Sequence, residues 1–239
     1  MTPEQLSLDL SPEPELGRDS FVVTRSNSEA VGLVGAGRWP GGRLALTGPA
    51  ASGKTHLAHV WAGTTGALIV AAADLPRYDI ATLAGAGRIA VEDVPRIAGN
   101  RAAETSLFHL YNRLAAERGA LLLTGRAAPA HWAMALPDLA SRLSALMVAE
   151  LLAPDDALLG ALLEKQFADR NLAPPDAVLR FLVTRMTRSA EAARDVAAEI
   201  DRLSLSRRRP VTVPLARIAL DRLAEPSSDR HTFPPEDTP

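Results

Sequence analysis

The stretch that decides the fold is residues 43–62, RLALTGPAASGKTHLAHVWA. It begins with an apolar run, turns through a loop that starts at Gly48, and continues from Lys54 into a segment with helical spacing. The loop matches the pattern G-x-x-x-x-G-K-[ST], whose glycines let successive backbone N–H groups face a phosphate. Because the match lies between a predicted strand and a predicted helix, the helix N-terminus adds its positive end to the site. The stretch therefore predicts a phosphate-binding loop.

Two side chains of this loop have specific predicted roles. We expect the Lys54 ammonium to reach the β- and γ-phosphates of a nucleotide, and the Thr55 hydroxyl to ligate Mg²⁺. Lysine is rare in the chain, since only Lys54 and Lys165 occur among its 26 basic residues. ADP or ATP with Mg²⁺ is the predicted cofactor. The predicted nucleotide-binding residues of the loop are Gly48, Pro49, Ala50, Ala51, Ser52, Gly53, Lys54 and Thr55.

Two carboxylates, Glu92 and Asp93, follow an apolar run at residues 89–91. We expect this run to be a strand that ends near the phosphate loop, with Glu92 directed to Mg²⁺ and Asp93 to an attacking water. Thr124 ends another apolar run, at residues 121–124. It is predicted to orient that water or to contact the γ-phosphate. These residues predict the remainder of a nucleotide-hydrolysis site.

Short apolar runs alternate with segments of helical spacing through the first two thirds of the chain. Each run is bounded by turn or charge signals, as buried parallel strands are. In the segment 101–118, Leu107, Leu110, Tyr111 and Leu114 recur at helical spacing and form one apolar face. This alternation predicts an α/β domain with a five-stranded parallel sheet. The predicted strands are residues 43–47, 67–71, 89–91, 121–124 and 145–148.

The strand signals fade after Pro154, and helical spacing dominates from there to residue 223. Asp155 or Asp156 is expected to cap a helix that runs to about residue 170. Further helices are predicted at 174–187, 190–204 and 214–223, with a short β-like run at 211–213. The sequence thus predicts a nucleotide-binding domain at 19–153 and a small, mainly helical domain at 154–224. A flexible tail at 1–18 and a disordered tail at 225–239 flank them.

Composition excludes several classes of protein. The chain has no cysteine, which excludes disulfide scaffolds, thiol catalysis and thiolate metal sites. Its formal net charge of -2 gives no support for a general nucleic-acid surface, so we expect no strong direct DNA binding and interpret residues 207–209, three arginines, as a solvated loop. No uncharged apolar stretch approaches the length of a membrane span, and the first residues carry acids and prolines instead of a secretory signal. We therefore expect a cytoplasmic protein without a membrane span.

Five segments resemble motifs of AAA+ ATPases, and more narrowly of the bacterial DnaA-related group that includes Hda. They are FVVTRSN at 21–27, GKTHL at 53–57, LYNR at 110–113, PDLASRL at 137–143 and QLSLDL at 5–10. The resemblance covers about residues 5–223. It implies a AAA+ P-loop domain followed by a helical lid domain. It also implies that Val22, Val23, Asn27 and His56 belong to the nucleotide site.

The same resemblance implies two contacts with other proteins. Arg142, within PDLASRL, corresponds to the arginine finger that one AAA+ subunit donates to the nucleotide of its neighbour. In trans, such an arginine accelerates hydrolysis by about 10³–10⁵ in GTPases. The tail segment resembles the peptide that docks on the sliding clamp, the β subunit of the DNA polymerase. Its partner-binding residues are Gln5, Leu6, Leu8 and Leu10.

The tail peptide, together with the absence of a helix-turn-helix domain after the lid, makes the chain resemble the Hda group more than the initiator itself. The resemblance implies a regulator, tethered to the DNA-loaded clamp, that stimulates hydrolysis of ATP bound to the replication initiator DnaA and so prevents re-initiation. It also implies association with the replisome and nucleoid. Whether the chain forms a homo-oligomer is left open by the sequence. The alternatives are a self-acting AAA+ ATPase, such as a helicase loader or truncated initiator, and a non-enzymatic, clamp-tethered adapter.

Two positions depart from the family pattern. Glu92 stands where the group has aspartate, which favours weak intrinsic ATPase activity. Glu191 stands where the family has a nucleotide-sensing arginine in the lid, and either Arg188 or Arg194 is a candidate to replace it. The sequence leaves that choice open, as it does the choice of ADP, ATP or no nucleotide at rest.

Overall fold

A computed structural model describes residues 21–207 and 210–224 of the chain. The chain divides into two compact units, with the division after Leu152. The predicted tails at 1–18 and 225–239 lie outside the described residues, and with them the clamp-peptide residues Gln5, Leu6, Leu8 and Leu10. Most of the arginine loop at 207–209 lies outside them as well.

The first unit is built on a five-stranded sheet in which all described strand pairs are parallel. The strand order is β2-β3-β4-β1-β5. This confirms the predicted fold class. The strands are β1 (Arg43–Thr47), β2 (Leu68–Ala71), β3 (Arg88–Glu92), β4 (Ala120–Gly125) and β5 (Met147–Glu150).

Strand β5 starts at Met147, and the prediction that it starts at residue 145 is wrong. The N–H groups of Ala145 and Leu146 both donate to the carbonyl of Leu143, so these two residues form the turn that ends the preceding helix. An apolar run alone does not distinguish such a turn from the start of a strand.

Five helices cover the sheet of the first unit within the described residues. Helix α4 begins where the Asn100 side chain accepts a hydrogen bond from the N–H of Ala103, and it buries Leu107, Leu110 and Leu114 completely, as its periodicity predicts. The other side of the sheet packs on α1 and α2. The helices are α1 (Ser28–Ala36), α2 (Lys54–Thr65), α3 (Ile80–Ala84), α4 (Arg101–Ala116) and α5 (Pro137–Ser144).

The regular secondary structure in the described part of the second unit is all helical. Asp155 caps its first helix by accepting a hydrogen bond from the N–H of Leu158 at 2.8 Å, in agreement with the sequence. Seventeen buried residues from all four helices and the segments that join them form one apolar core. The helices are α6 (Asp156–Ala168), α7 (Asp176–Val183), α8 (Ala190–Arg207) and α9 (Val213–Ala224).

Two expectations for this unit are wrong. Residues 211–213 are not a strand, because Val211 is buried in the helical core and Val213 begins α9, where Pro214 suits the first turn. Helix α7 ends at Val183 and not at residue 187. The Thr184 hydroxyl there donates to the carbonyls of Arg180 and Phe181, which competes with continuation of the helix.

No helix in the described ranges is both long and apolar enough to cross a membrane.

Candidate functional site

The strand order brings the predicted site residues to one edge of the sheet. Strand β1, which leads into the phosphate loop, lies beside β4, and β4 lies beside β3. Because the strands are parallel, their carboxyl ends meet at the same edge, where open α/β sheets bind ligands. The loop after β1, the carboxylates at the end of β3 and Thr124 in β4 are therefore neighbours.

The phosphate loop has a backbone that two glycines make possible. Gly48 has a φ of 149°, and a Cβ there would lie 2.2 Å from the carbonyl oxygen of Leu151. Gly53 has a φ of 97° and immediately precedes α2, whose first turn has no side-chain cap. Ala51 also adopts positive φ, at 55°, a conformation that costs about 1–2 kcal/mol for a residue other than glycine. The uncapped helix N-terminus fits an anionic group.

Lys54 is buried inside this loop. Its ammonium donates to the carbonyls of Gly48 at 2.9 Å and Pro49 at 2.6 Å. Burial lowers the pKa of Lys54, the charges of Asp93 and Glu92 oppose this shift, and Arg126 adds to it. The ammonium is thus within electrostatic range of both predicted carboxylates, at the end of the sheet where the phosphate loop lies.

Glu92 and Thr55 fit the predicted Mg²⁺ site. One carboxylate oxygen of Glu92, Oε1, is buried and has no hydrogen-bond partner, while Thr55 is exposed in the first turn of α2. No group of three or more His, Asp or Glu side chains that could hold a metal occurs among the described residues. Mg²⁺ does not require one, because in nucleotide sites it takes one or two side chains together with phosphate oxygens and water.

Asp93 and Thr124 are joined directly. The N–H of Asp93 donates to the Thr124 hydroxyl at 3.0 Å, and Asp93 has a φ of 54°. Thr124 is buried, whereas the Asp93 carboxylate is exposed and lies 3.6 Å from Arg96. The accepted bond fixes the hydroxyl orientation and leaves its hydrogen available for a ligand or water.

The segment predicted to lie near the adenine is a turn held by Asn27. The Asn27 side chain donates to the carbonyl of Val22 at 2.9 Å and accepts from the N–H of Thr24 at 2.8 Å. Val23 is 55% exposed. The structure thus gives the Asn27 amide a role in shaping the segment, with Val22 and Val23 presented beside it.

Phe21 connects this segment to the phosphate loop, although no site prediction included it. Its ring stands edge-on to the ring of His56 with centroids 5.0 Å apart, and it lies 3.7 Å from the position of a Cβ on Gly53. His56 therefore packs against an aromatic ring. Phe21 belongs to the FVVTRSN segment, but the motif by itself does not indicate that its ring contacts His56.

Arg142 lies away from the loop. It is exposed in the last turn of α5, and its guanidinium carbon is 5.3 Å from the ring centroid of Phe108 and 5.6 Å from that of Tyr111. Strand β5, which follows, begins at Met147 opposite Leu44, near the start of β1. The phosphate loop follows the other end of β1. Arg142 and the loop are therefore separated by the length of a five-residue strand, about 15 Å.

Glu104 is a buried residue that the sequence reasoning did not assign. Its carboxylate accepts three backbone hydrogen bonds, from Gly99 at 2.7 Å, Ala135 at 3.0 Å and Leu136 at 2.7 Å. Leu136 immediately precedes α5. Glu104 therefore holds the helix that carries Arg142 against α4.

Gly48→Ala is expected to lower nucleotide affinity by about 100-fold or more. The added Cβ forces the loop away from Leu151, and losing two hydrogen bonds to a charged phosphate costs about 1.5–3 kcal/mol each. A titration with fluorescent ADP measures this.

Gly63→Ala is the matched control, because a Cβ at Gly63 on α2 meets no atom within 4 Å. Its ADP affinity should equal that of the original chain, with stability raised by up to about 1 kcal/mol. If the Gly48 variant also bound ADP normally, the loop would not be the nucleotide site.

Comparisons with known proteins bear on the helical unit and on the fold. Residues 156–220 match the family model described as the Hda lid domain. Domain III of the Thermotoga maritima replication initiation protein DnaA is similar in structure, with a TM-score of 0.75 and 19% identity over 90% of this chain and 99% of that one.

Two further solved structures share the fold. DnaA from Aquifex aeolicus, solved with AMPPCP, has a TM-score of 0.67 and 18% identity over 80% of this chain and 66% of that one. The Thermotoga maritima RuvB Holliday junction branch migration motor has a TM-score of 0.66 and 16% identity over 87% of this chain and 72% of that one. The chain therefore shares its fold with these proteins, and residues 156–220 match the Hda lid domain, which is consistent with an Hda-like, DnaA-related AAA+ protein.

Proposed function

We propose that this chain is a AAA+ regulator of replication initiation that binds ADP or ATP with Mg²⁺. Tethered to the DNA-loaded sliding clamp, it stimulates hydrolysis of ATP bound to the initiator DnaA and so prevents re-initiation. The observation that carries the proposal is the exposed position of Arg142, at the sheet edge opposite the phosphate loop, in a chain with an Hda-type lid domain.

The position of Arg142 favours action on another molecule's nucleotide. About 15 Å of strand separates it from the chain's own loop, which is beyond the reach of a side chain. The rings of Phe108 and Tyr111 support its guanidinium without neutralising it. A cation held in this way can stabilise the charge that develops on a transferred phosphoryl group.

The chain's own loop has the features of a nucleotide site that serves to hold ADP or ATP. Lys54, Thr55 and the unpartnered oxygen of Glu92 would hold the phosphates and Mg²⁺. A bound nucleotide would bring its negatively charged phosphates to the loop, where Lys54 and the N-terminus of α2 would orient them. Slow intrinsic turnover is expected, because the Asp93 carboxylate is exposed and next to Arg96.

The lid leaves the sensor residue undecided between two arginines. Arg188 bonds the carbonyl of Pro154 and pairs with Asp156, while Arg194 pairs with its neighbour Asp195. Glu191 is exposed in the first turn of α8. Either arginine would have to exchange its carboxylate for a phosphate.

A self-acting ATPase is the second candidate function. Lys54, Glu92, Asp93 and Thr124 lie together at one sheet edge, which favours hydrolysis by the chain alone. This candidate predicts that the chain hydrolyses ATP in the absence of DnaA and clamp. A passive adapter predicts that the chain does not accelerate hydrolysis of DnaA-bound ATP even when DnaA and clamp are present.

The deciding experiment follows ATP pre-bound to DnaA in the presence of clamp loaded on DNA. We expect the chain to accelerate hydrolysis, and Gln5→Ala with Leu8→Ala to raise the concentration needed for half-maximal effect by about 100-fold, because the clamp supplies a high effective concentration. Ser7→Ala in the same tail is the control and should act like the original chain. If DnaA keeps its ATP at every concentration, the regulatory function is wrong.

The location follows from the proposed partners. A protein that acts on the clamp and the initiator works in the bacterial cytoplasm, at the replisome on the nucleoid. Contact with further copies of the chain would use the same two faces, Arg142 of one copy and the phosphate loop of another.

A further inference from the structure

A cavity of about 320 Å³ opens beside Arg142 at the amino end of β1. Arg43 and Arg142 both line it, together with Gly41, Tyr111 and Leu146. No acidic residue is among its described lining residues. The cavity therefore contains two positive charges and no carboxylate to neutralise them.

Arg43 is buried in this cavity, with only 4% of its surface exposed. Its Nη2 donates to the carbonyl of Tyr111 at 2.9 Å, and its guanidinium carbon lies 4.8 Å from the centroid of the Tyr111 ring. Its Nε is buried without a hydrogen-bond partner. A buried charge with so few partners is costly, because taking it out of water is repaid only by a charged partner and further hydrogen bonds.

The second arginine increases this cost. Arg142 approaches the same ring, at 5.6 Å from its centroid, so two guanidinium groups share one aromatic partner. Burial lowers the pKa of Arg43, the Tyr111 hydroxyl opposes the shift, and the charge of Arg142 lowers it further. An oxyanion at the cavity would relieve both the repulsion and the lost hydration.

We infer that Arg43 and Arg142 form a two-arginine phosphate site, and that its ligand is the terminal phosphate of a nucleoside triphosphate held by a partner subunit. The inference rests on the proposed function, in which Arg142 acts in trans. It adds Arg43 as a second cation at the floor of the cavity. Phosphate is favoured because the planar guanidinium forks match its oxygens, and two positive charges match its charge of about −2.

The first test measures phosphate binding by the full chain alone. The protein is saturated with a non-hydrolysable ATP analogue and Mg²⁺, so that its own loop cannot take free phosphate. Inorganic phosphate at about five times its Kd should then raise the melting temperature by about 2 °C or more over sodium chloride of equal ionic strength. Arg43→Met and Arg142→Ala should each lose this increment.

Arg113→Met is the matched control, because it removes an arginine outside the cavity by the same substitution. Arg113 lies on α4 but pairs with Glu117 at 2.8 Å and does not line the cavity. It should keep the full phosphate increment. Arg43→Lys, which retains the charge in the cavity, should keep part of it and guards against a loss caused by misfolding of the Met variant.

The second test measures hydrolysis of DnaA-bound ATP at saturating regulator. Arg43→Met should lower the stimulated rate by about 10-fold, the effect of losing a weak charged contact to phosphate, and Arg43→Lys should restore part of it. Suppose that the original chain stimulates hydrolysis, that the Arg43 variants stimulate it to the same rate, and that phosphate still raises their melting temperature. The two-arginine site is then wrong and the proposed function stands.

The other outcomes separate the two ideas. If the original chain does not stimulate hydrolysis, the proposed function is wrong, and the melting experiment still decides whether the site binds phosphate. If phosphate binding needs Arg43 but stimulated hydrolysis does not, the assignment to a partner's nucleotide is wrong and the ligand is free phosphate.

Discussion

Arg142→Ala should reduce the stimulated hydrolysis of DnaA-bound ATP by about 10³-fold or more, which would leave it close to the initiator's own rate. An arginine donated in trans to a transferred phosphoryl group contributes about 10³–10⁵ to the rate in GTPases. The exposed guanidinium, supported by Phe108 and Tyr111 and distant from the chain's own loop, is suited to this role. The measurement is single-turnover hydrolysis of radiolabelled ATP on DnaA, with clamp and DNA present.

Three controls separate loss of the finger from loss of the protein. Arg142→Ala should bind ADP with unchanged affinity, because the loop lies at the opposite sheet edge. Arg113→Ala on α4 should stimulate like the original chain, since Arg113 is paired with Glu117 on the surface. Arg142→Lys should recover only a small part, because an ammonium lacks the guanidinium fork. Full stimulation by Arg142→Ala would show that this residue is not the finger.

Glu104→Ala should lower the free energy of unfolding by about 3–5 kcal/mol, a large effect for one residue. The substitution removes three hydrogen bonds that the buried carboxylate accepts, from the N–H groups of Gly99, Ala135 and Leu136, and a hydrogen bond to a charged group contributes about 1.5–3 kcal/mol. Urea unfolding followed by circular dichroism measures the change. Glu117→Ala, at an exposed ion pair, should change stability by less than about 1 kcal/mol.

The acid dependence gives an independent measure of the same carboxylate. Burial alone would raise the pKa of Glu104, but the hydrogen bonds from Ala135, Leu136 and Gly99 outweigh it, so the pKa in the folded protein is lowered. The stabilisation is therefore fully present above the unfolded pKa of about 4.3 and is lost as the pH falls through the folded pKa. The difference in stability between the original chain and Glu104→Gln should shrink below about pH 4. A difference that stays constant down to pH 2 would contradict this role.

The parts of the molecule that the sequence predicts are those encoded locally. The strand, loop and helix from Arg43 to Thr65 follow from one contiguous pattern, and the apolar face of α4 follows from its periodicity. The five parallel strands follow from alternation, because each apolar run is bounded by turn signals. The prediction of a β-like run at 211–213 is wrong because an apolar run of three residues is found at the start of a helix as well as in a strand.

The parts that the sequence does not predict depend on distant pairs. Glu104 is separated from Ala135 and Leu136 by more than thirty positions, and Arg43 from Tyr111 by 68. Glu104 lies in no motif, and Arg43 precedes the phosphate-loop pattern that begins at Gly48. From sequence alone, a charged residue in a helix or at the start of a strand is expected to be on the surface. Their burial becomes evident only when the sheet order places α4 beside the start of β1 and the segment before α5.

Arg142 and the phosphate loop lie at opposite ends of the strands of one sheet, so the first unit has two different contact surfaces that face away from each other. A contact in which Arg142 of one molecule meets the nucleotide loop of another joins two different surfaces, so it cannot be the self-complementary contact of a two-fold dimer. Molecules joined in this way all point the same way, and the row has two unlike ends. In the proposed function, a molecule added at the end that exposes a nucleotide loop would act on that nucleotide and would present its own loop as the new terminus.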